Sequence, residues 1–195
     1  PSKWLAELVK QSFLKEYPVQ VINNGIDLTV FKPTASDFRE KYGLQNKKVI
    51  LGVANVWEKR KGFDDFLELA KLISDDYRIV LVGVTDEQLK KLPPKVIGIK
   101  RTNSATELAQ IYTAADVLFN PTYEDNYPTV NLEAQACGTP VITYPTGGSV
   151  ESVPSENVIS LGNYRFLLDR SFKDLPYLAP VDKQSMVKEY IGVML

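Results

Sequence analysis

Between residues 48 and 150, short apolar segments of strand length alternate with segments of helical periodicity. The predicted strands are residues 48–55, 77–84, 95–99, 117–119 and 139–143. The predicted helices between them are residues 63–73, 86–92, 104–114 and 128–137. Continuous apolar strands are typical of a parallel sheet buried on both faces, and strand–helix alternation indicates βαβ units. The sequence therefore predicts an α/β fold: a parallel sheet with helices on both faces.

The segments outside this alternation give weaker patterns. We predict helices over 3–15, 33–42 and 183–194, and strands at 19–22 and 164–168. In a parallel sheet, ligands bind beyond the carboxyl ends of the strands. The turns after Asn55, Gly83, Ile99, Asn120 and Thr143 are therefore expected to line one crevice.

The segment from 120 to 140 joins a predicted strand to a predicted helix through a polar turn. The turn contains Glu124, Asp125 and Asn126. Pro128 suits the first helical position, and Gly138 suits the position just past the last turn. A helix start offers unpaired N–H groups and a positive dipole end, so this one suits an anion, with Thr129 and Val130 as donors.

Two carboxylates fall on this segment, Asp125 in the turn and Glu133 in the helix. One interpretation is a polar turn and a solvated helix residue, because most carboxylates are exposed. Their place in the expected crevice favours a ligand. The two acceptor oxygens of Glu133 could take both hydroxyls of a ribose.

A basic loop, Lys59-Arg60-Lys61-Gly62, follows the predicted strand at 48–55. Charge runs of this kind are usually solvated. At the carboxyl end of a strand, however, the Arg could bind two oxygens of a diphosphate while the Lys acts as a point charge. The pair Gly147-Gly148 predicts either a simple turn or a close backbone approach to a ligand.

Composition excludes several kinds of chemistry. The chain has no His, which removes Ser-His-Asp and Cys-His catalysis and His metal ligands. Cys137 is the single cysteine, so no internal disulfide forms; we expect a reducing compartment and a small buried thiol. No Asp-x-Asp pair occurs, and a net charge of -1 argues against nucleic acid as a partner.

Several short motifs occur in the order of one enzyme family. They are residues 1–6, Asn24-Gly25-Ile26-Asp27, Lys61-Gly62, Glu107-Leu108, Ala115-Asp116-Val117, Glu133-Ala134, Cys137-Gly138-Thr139-Pro140 and Gly147-Gly148. Together they resemble the C-terminal, donor-binding half of a retaining GT-B fold glycosyltransferase. The similar family includes bacterial lipopolysaccharide, capsule and exopolysaccharide transferases and sucrose synthase. The resemblance covers roughly residues 1–153.

The resemblance implies a Rossmann-like domain that binds a nucleotide sugar. The family's acidic motif is Glu-x7-Glu, whose second Glu matches Glu133 and holds the ribose hydroxyls. The first position, near the transferred sugar, falls on Asp125, which is one methylene shorter. Because Glu124 is adjacent, either carboxylate could serve, and the register favours Asp125. The resemblance thus implies Asp125 and Glu133 as the catalytic residues.

The family also uses an Arg and a Lys for the diphosphate. Lys61 matches the Lys, whereas Asn55 stands where the Arg is usual, so Arg60 is the substitute that we expect. Backbone amides at the helix start contact phosphate and sugar in the family. The full set of implied donor-binding residues is Arg60, Lys61, Glu124, Asn126, Tyr127, Thr129, Val130 and Glu133.

The implied domain organisation has three parts. We expect residues 1–18 to be a linker helix from a missing N-terminal acceptor-binding domain, 19–153 the Rossmann-like donor domain, and 154–195 an atypical tail with a C-terminal helix. The implied reaction is retaining transfer from a UDP- or GDP-type nucleotide sugar to a glycan or lipid-linked acceptor. No metal or cofactor is expected, and the location is the cytoplasm or the inner face of the membrane. The isolated chain is expected to bind donor but to turn over little.

Two alternatives remain open. A Rossmann-like scaffold can serve as a non-catalytic nucleotide-binding or interaction module, because fold does not fix function. A GT-B fold sugar-nucleotide epimerase is the other; that chemistry generally needs acid/base groups, which a chain without His supplies less readily.

Overall fold

The computed structural model describes residues 1–194. Its sheet consists of β1 (Lys48–Val53), β2 (Tyr77–Val82), β3 (Val96–Ile99), β4 (Val117–Asn120) and β5 (Val141–Thr143). The spatial order is β3-β2-β1-β4-β5, and each neighbouring pair is parallel. The predicted α/β class with a Rossmann-like parallel sheet is confirmed.

The helices are α1 (Lys3–Lys10), α2 (Phe38–Lys41), α3 (Phe63–Leu72), α4 (Asp86–Leu89), α5 (Ala105–Ala114), α6 (Thr129–Ala136), α7 (Tyr164–Leu168) and α8 (Lys183–Met194). Short 3₁₀ turns cover Lys59–Lys61, Ser149–Ser152, Ser155–Asn157 and Phe172–Asp174. No helix within residues 1–194 combines the length and the apolar character needed to cross a membrane.

Successive residues of a strand point to opposite sides of the sheet. Because the strands are apolar at successive positions, both faces of the sheet are buried. On β1, Ile50 joins a core cluster with Phe66 of α3, whereas Leu51 joins a second cluster with Tyr112 of α5. All four side chains are fully buried. The continuous apolar strands thus have helices against each face.

The first of these clusters extends into the chain after residue 153. Leu167 of α7, Phe172 and Leu175 are buried in the same cluster as α3. The predicted strand at 164–168 is wrong, because this segment forms α7. The side chain of Asn163 accepts a hydrogen bond from the N–H of Phe166 and so caps the start of this helix.

The N-terminal segment also departs from its predicted elements. Helix α1 ends at Lys10 rather than at residue 15, and residues 19–22 form no strand. Ser12 explains the early end: its hydroxyl donates to the carbonyl of Val9 and accepts from the N–H of Leu14, an alternative to the helical pattern. The helix predicted over 33–42 is confined to α2.

The order of the strands places a topological switch between β1 and β4. From β1 the chain moves outward to β2 and β3, and it then returns to the other side of β1 to form β4 and β5. The helices that follow β1 and β4, α3 and α6, therefore pack on opposite faces of the sheet. A crevice at their carboxyl ends is the expected ligand site of such a sheet.

Candidate functional site

A cavity of about 470 Å³ lies at this switch point. Its walls come from the ends of β1 and β4, the basic loop after β1, the polar turn after β4 and the start of α6. Six of the predicted site residues line it: Arg60, Lys61, Asp125, Tyr127, Thr129 and Val130. The structure therefore brings the cationic loop and the helix start to one cavity, although they are far apart in the chain.

Lys61 and Asp125 form an ion pair inside this cavity. The Lys61 Nζ donates to Asp125 Oδ2 at 2.5 Å, and the side chains are 23% and 15% exposed. The other carboxylate oxygen of Asp125 accepts from the N–H of Tyr127 at 3.3 Å. The Coulomb attraction between partly desolvated charges is stronger than that between charges at an open surface.

Arg60 joins the basic loop to the polar turn. Its guanidinium donates to the backbone carbonyl of Glu124 at 3.2 Å, and its own carbonyl accepts from the N–H of Tyr123 at 2.8 Å. The side chains of Glu124 and Asn126 are exposed, and neither residue lines the cavity. Of the two adjacent acidic residues, Asp125 is thus the one inside.

The start of α6 faces the cavity without a side-chain cap. Pro128 is the N-cap residue with an extended backbone (φ -69°, ψ 119°), so the prediction that it occupies the first helical position is wrong by one residue. Gly138 lies just past the helix end with φ 82°, as predicted. Because Pro128 has no side chain that can accept a hydrogen bond, the first N–H groups of α6 are open to a ligand.

Buried amides hold α6 in place. Asn131 accepts from the side chain of Asn120 on β4 at 2.8 Å and donates to the hydroxyl of Ser152 at 2.9 Å. Gln135, one turn further along, donates to the carbonyl of Ser152 at 2.8 Å. All four of these residues are buried, and such satisfied networks rigidify a structure.

Glu133 lies one turn below the start of α6 and lines a neighbouring cavity of about 640 Å³. The two cavities share the end of β1 and Val130. The Glu133 Oε2 accepts from the hydroxyl of the fully buried Tyr112 at 2.9 Å. Burial raises the pKa of Glu133, while hydrogen bonds from Tyr112 and Thr129 oppose that rise.

The second cavity contains residues that sequence reasoning did not single out. They are Lys100, Arg101, Thr102, Asn103 and Ser104, in the loop between β3 and α5. The turns after Asn55, Ile99 and Asn120 border these two adjoining cavities, as expected, whereas after β2 only Gly83 itself does so. The position of this loop, directly after a predicted strand, was thus the only sequence feature that could have identified it as part of the site, because its residues carry no distinctive motif.

The turn after Thr143 has a different role from the one expected. Gly147 and Gly148 line neither cavity. Instead, the N–H of Gly148 donates to the carbonyl of Asp125 at 2.9 Å. A Cβ atom on Gly148 would lie 1.8 Å from the carbonyl oxygen of Asn126. The double glycine therefore permits close approach to the polar turn.

A family profile identifies the chain. The profile described as "Glycosyl transferases group 1" matches residues 35–160, which is more than half of the chain. The chain belongs to the group 1 glycosyltransferases. The match includes the basic loop, the polar turn and α6.

Relatives of this glycosyltransferase chain are considerably longer. It is 27% identical over 164 residues to the N,N'-diacetylbacillosaminyl-diphospho-undecaprenol alpha-1,3-N-acetylgalactosaminyltransferase of Campylobacter jejuni. That alignment covers 76% of this chain but only 42% of the relative. The chain thus spans less than half the length of this relative.

Solved structures show the same fold. Sucrose-phosphate synthase from Thermosynechococcus elongatus matches with a TM-score of 0.82 at 22% identity, covering 99% of this chain and 56% of the other. Anabaena HepE in complex with UDP-glucose matches with a TM-score of 0.79 at 18% identity, covering 98% of this chain and 60% of the other. At these identities the likeness supports the GT-B half-fold.

The site of this glycosyltransferase chain offers cations, open backbone N–H groups and carboxylates within two adjoining cavities. Within residues 1–194, no group of three or more His, Cys, Asp or Glu side chains is placed to hold a metal ion. The cations and N–H groups suit phosphate oxygens, and the carboxylates suit hydroxyl groups.

Proposed function

We propose that this chain is the donor-binding half of a retaining glycosyltransferase, which transfers a hexosyl group from a nucleotide sugar to a glycan or lipid-linked acceptor. The observation that carries the proposal is the convergence of Lys61, Asp125 and the open start of α6 on one cavity, with Glu133 in the adjoining one. A nucleotide sugar needs cations and hydroxyl acceptors in this arrangement.

The diphosphate is placed between the basic loop and α6. Lys61 and Arg60 supply positive charge from one wall. From the other wall, the N–H groups of Thr129 and Val130 at the start of α6 donate hydrogen bonds to the phosphate oxygens. In the transfer step, the bond between the sugar C1 and the phosphate oxygen breaks, and negative charge develops on the leaving diphosphate. Fixed donors aimed at that charge lower the barrier.

The ribose and the sugar occupy opposite ends of the site in this proposal. Glu133, as the carboxylate, accepts from the ribose hydroxyls, and the base extends toward the loop of residues 100–104 in the second cavity. Asp125 orients the transferred sugar. Its place inside the first cavity, while the Glu124 side chain is exposed, supports Asp125 over Glu124.

The nucleotide and the acceptor are inferred from relatives. HepE was crystallised with UDP-glucose, so UDP is the first nucleotide to test, with GDP as the alternative. The Campylobacter relative is named for an undecaprenol-linked acceptor, which supports a lipid-linked acceptor here. We place the acceptor site outside this chain, which covers 42% of that relative. The full enzyme would work at the cytoplasmic face of the membrane.

Isothermal titration calorimetry tests the proposal directly. The chain is titrated with UDP, GDP and ADP, and with UDP-glucose and GDP-mannose. We expect one of these nucleotides to bind, and Lys61→Ala and Glu133→Ala to abolish that binding. Lys71→Ala is the matched control, since Lys71 is an exposed lysine paired with Glu68 on α3. A thermal melt of each variant verifies that it is folded.

The outcomes separate the competing functions. Absence of binding to every nucleotide contradicts the proposal. Nucleotide binding that is indifferent to the sugar, with no change in sugar discrimination in Asp125→Ala, indicates a non-catalytic nucleotide-binding module instead. Efficient transfer to a simple acceptor by the isolated chain contradicts its assignment as half of an enzyme.

A further inference from the structure

We propose that Asp125 competes with the donor diphosphate for Lys61, and that this competition makes the site prefer the intact nucleotide sugar to the nucleotide left after transfer. The inference rests on the proposed function, because it assigns a regulatory step to the same site. It concerns the ion pair between these two side chains, which joins the proposed diphosphate ligand to the proposed sugar ligand.

The pair is tight and partly shielded from water. The Nζ–Oδ2 distance is 2.5 Å, and both side chains are mostly buried against the walls of the cavity. Separating such a pair without new partners is costly, because each charge has already lost much of its hydration. A diphosphate that recruits Lys61 must therefore offset the loss of its contact with Asp125.

Hydrogen bonds from the backbone hold Asp125 in place. Its carbonyl accepts from the N–H of Gly148 at 2.9 Å, and its Oδ1 accepts from the N–H of Tyr127 at 3.3 Å. The backbone is thus held by the double-glycine turn, and the carboxylate stays at the cavity wall when Lys61 turns to phosphate. Asp125 then lies near a phosphate group of like charge.

The transferred sugar determines whether the Asp125 carboxylate has hydrogen-bond donors while it lies beside the phosphate. Sugar hydroxyl groups donate hydrogen bonds, and a carboxylate such as Asp125 only accepts them. With a nucleotide sugar in place, the hydroxyls replace the ammonium group of Lys61 as partners of Asp125. With a free nucleotide, no such donors are present, so the carboxylate draws Lys61 back and repels the phosphate.

Arg60 does not share this competition. Its guanidinium donates to the Glu124 carbonyl and lies 3.8 Å from the Glu58 carboxylate, so Asp125 does not hold it. Arg60 gives phosphate a constant attraction, whereas the attraction of Lys61 depends on the partner available to Asp125. After transfer, the sugar leaves Asp125, and the product nucleotide loses part of its binding. Product release limits the rate of many enzymes, so this step has a direct consequence for turnover.

The test compares free and sugar-linked nucleotide in Asp125→Asn. Calorimetry gives the Kd of UDP and of UDP-glucose, or of GDP and GDP-mannose if GDP is the nucleotide that binds. Asn keeps the size of the side chain but removes the charge. We expect the free nucleotide to bind about tenfold tighter than in the wild type, in line with close charge pairs being worth over 1.4 kcal/mol. The sugar conjugate should gain nothing.

Asp64→Asn is the matched control. It removes the same charge from the first turn of α3, and Asp64 is exposed and lines neither cavity. We expect it to change both constants by less than about twofold, since exposed charges are screened. Asp125→Ala provides a second variant, in which free nucleotide should again bind more tightly than in the wild type while the preference for the sugar conjugate disappears.

The two proposals fail in different ways. If the wild type binds neither free nor sugar-linked nucleotide, the proposed function fails. The other case is that the wild type binds them, but Asp125→Asn and Asp125→Ala bind the free nucleotide no more tightly than Asp64→Asn does. The proposal that Asp125 competes for Lys61 is then wrong, and the proposed function stands.

Discussion

At the scale of single residues, Gly148 shows how the polar turn depends on a missing side chain. The Cβ of any other residue would lie 1.8 Å from the carbonyl oxygen of Asn126 and 2.7 Å from the hydroxyl of Ser2. Such contacts force the backbone apart. The turn that carries Asp125 would then lose the hydrogen bond from Gly148 that fixes it.

Gly148→Ala is therefore expected to destabilise the fold by about 2 kcal/mol or more, as clashes in well-packed regions do. Urea denaturation measures the change in the free energy of unfolding. Gly192→Ala is the control, because a Cβ there meets no atom within 4 Å and the residue lies inside α8. That control should be neutral or stabilising by up to about 1 kcal/mol. Equal effects of the two substitutions would contradict the role given to Gly148.

Cys137 gives a second prediction at this scale. The side chain is 2% exposed, and burial raises the pKa of its thiol to about 12. Since only the thiolate is nucleophilic, Cys137 should react with Ellman's reagent at neutral pH only after unfolding, when the thiol pKa returns to about 8.5. Labelling of the native chain at the rate of the urea-unfolded chain would contradict this packing.

At the scale of elements, the burial of Glu133 between α5 and α6 makes the stability of the fold depend on pH. Burial raises the pKa of Glu133 in the folded state. A carboxyl whose pKa is raised on folding contributes stability that is fully present below its unfolded pKa and is lost as pH rises through the folded value. Ionised Glu133, the form proposed to accept from ribose, is therefore the less stable form of the free site.

Glu133→Gln should remove this dependence, since Gln does not titrate and its amide oxygen can still accept from Tyr112. Thermal melts from about pH 4 to about pH 8 span the ordinary carboxyl pKa. The stability of the wild type relative to the variant should fall as pH rises. Parallel melting curves for the two proteins across this range would show that Glu133 is not desolvated as described.

The sequence was most informative where one physical cause dominates an element. After Lys48, the strand β1 is a continuous apolar run with buried residues on both faces, so its pattern alone identifies it. Residues 19–22 are apolar except for Gln20, yet they find no strand partner, which a local pattern does not reveal. At 164–168, the cap from Asn163 outweighed the aromatic and aliphatic residues that suggested a strand.

The candidate site was predictable as a set of turns but not as a set of contacts. The order of strands and helices indicated that the basic loop and the polar turn meet at one edge of the sheet. The pairing of Lys61 with Asp125 joins residues 64 positions apart and depends on side-chain geometry within the cavity. For the same reason, the role of Gly148 against the polar turn required the tertiary structure.

At the scale of the whole molecule, the chain after residue 153 contributes to the core that supports the site. Leu167, Phe172 and Leu175 are buried in the cluster of α3 and the sheet. Helix α8 behaves differently: it has no buried residue, and the side chains of residues 187–194 are exposed. The start of α8 is nonetheless tied to the domain, because the N–H of Lys183 donates to the carbonyl of Ile26 at 2.8 Å.

Two truncations should therefore have opposite outcomes. A chain ending at residue 153 loses four buried apolar side chains, those of Ile159, Leu167, Phe172 and Leu175, worth about 1.5–3 kcal/mol each. That loss approaches the total stability of a typical domain, about 5–15 kcal/mol, so we expect this truncated chain to be unfolded. Of the residues that the structure describes, a chain ending at residue 186 loses only exposed ones, 187–194, and it should stay within about 0.5 kcal/mol of the full chain. Urea denaturation followed by far-UV circular dichroism compares the stability of the two truncated chains.

Because both truncations keep Lys61, Asp125 and Glu133, nucleotide binding can be measured in each. A folded 1–153 chain that binds nucleotide would show that the site needs no support from the segment after it.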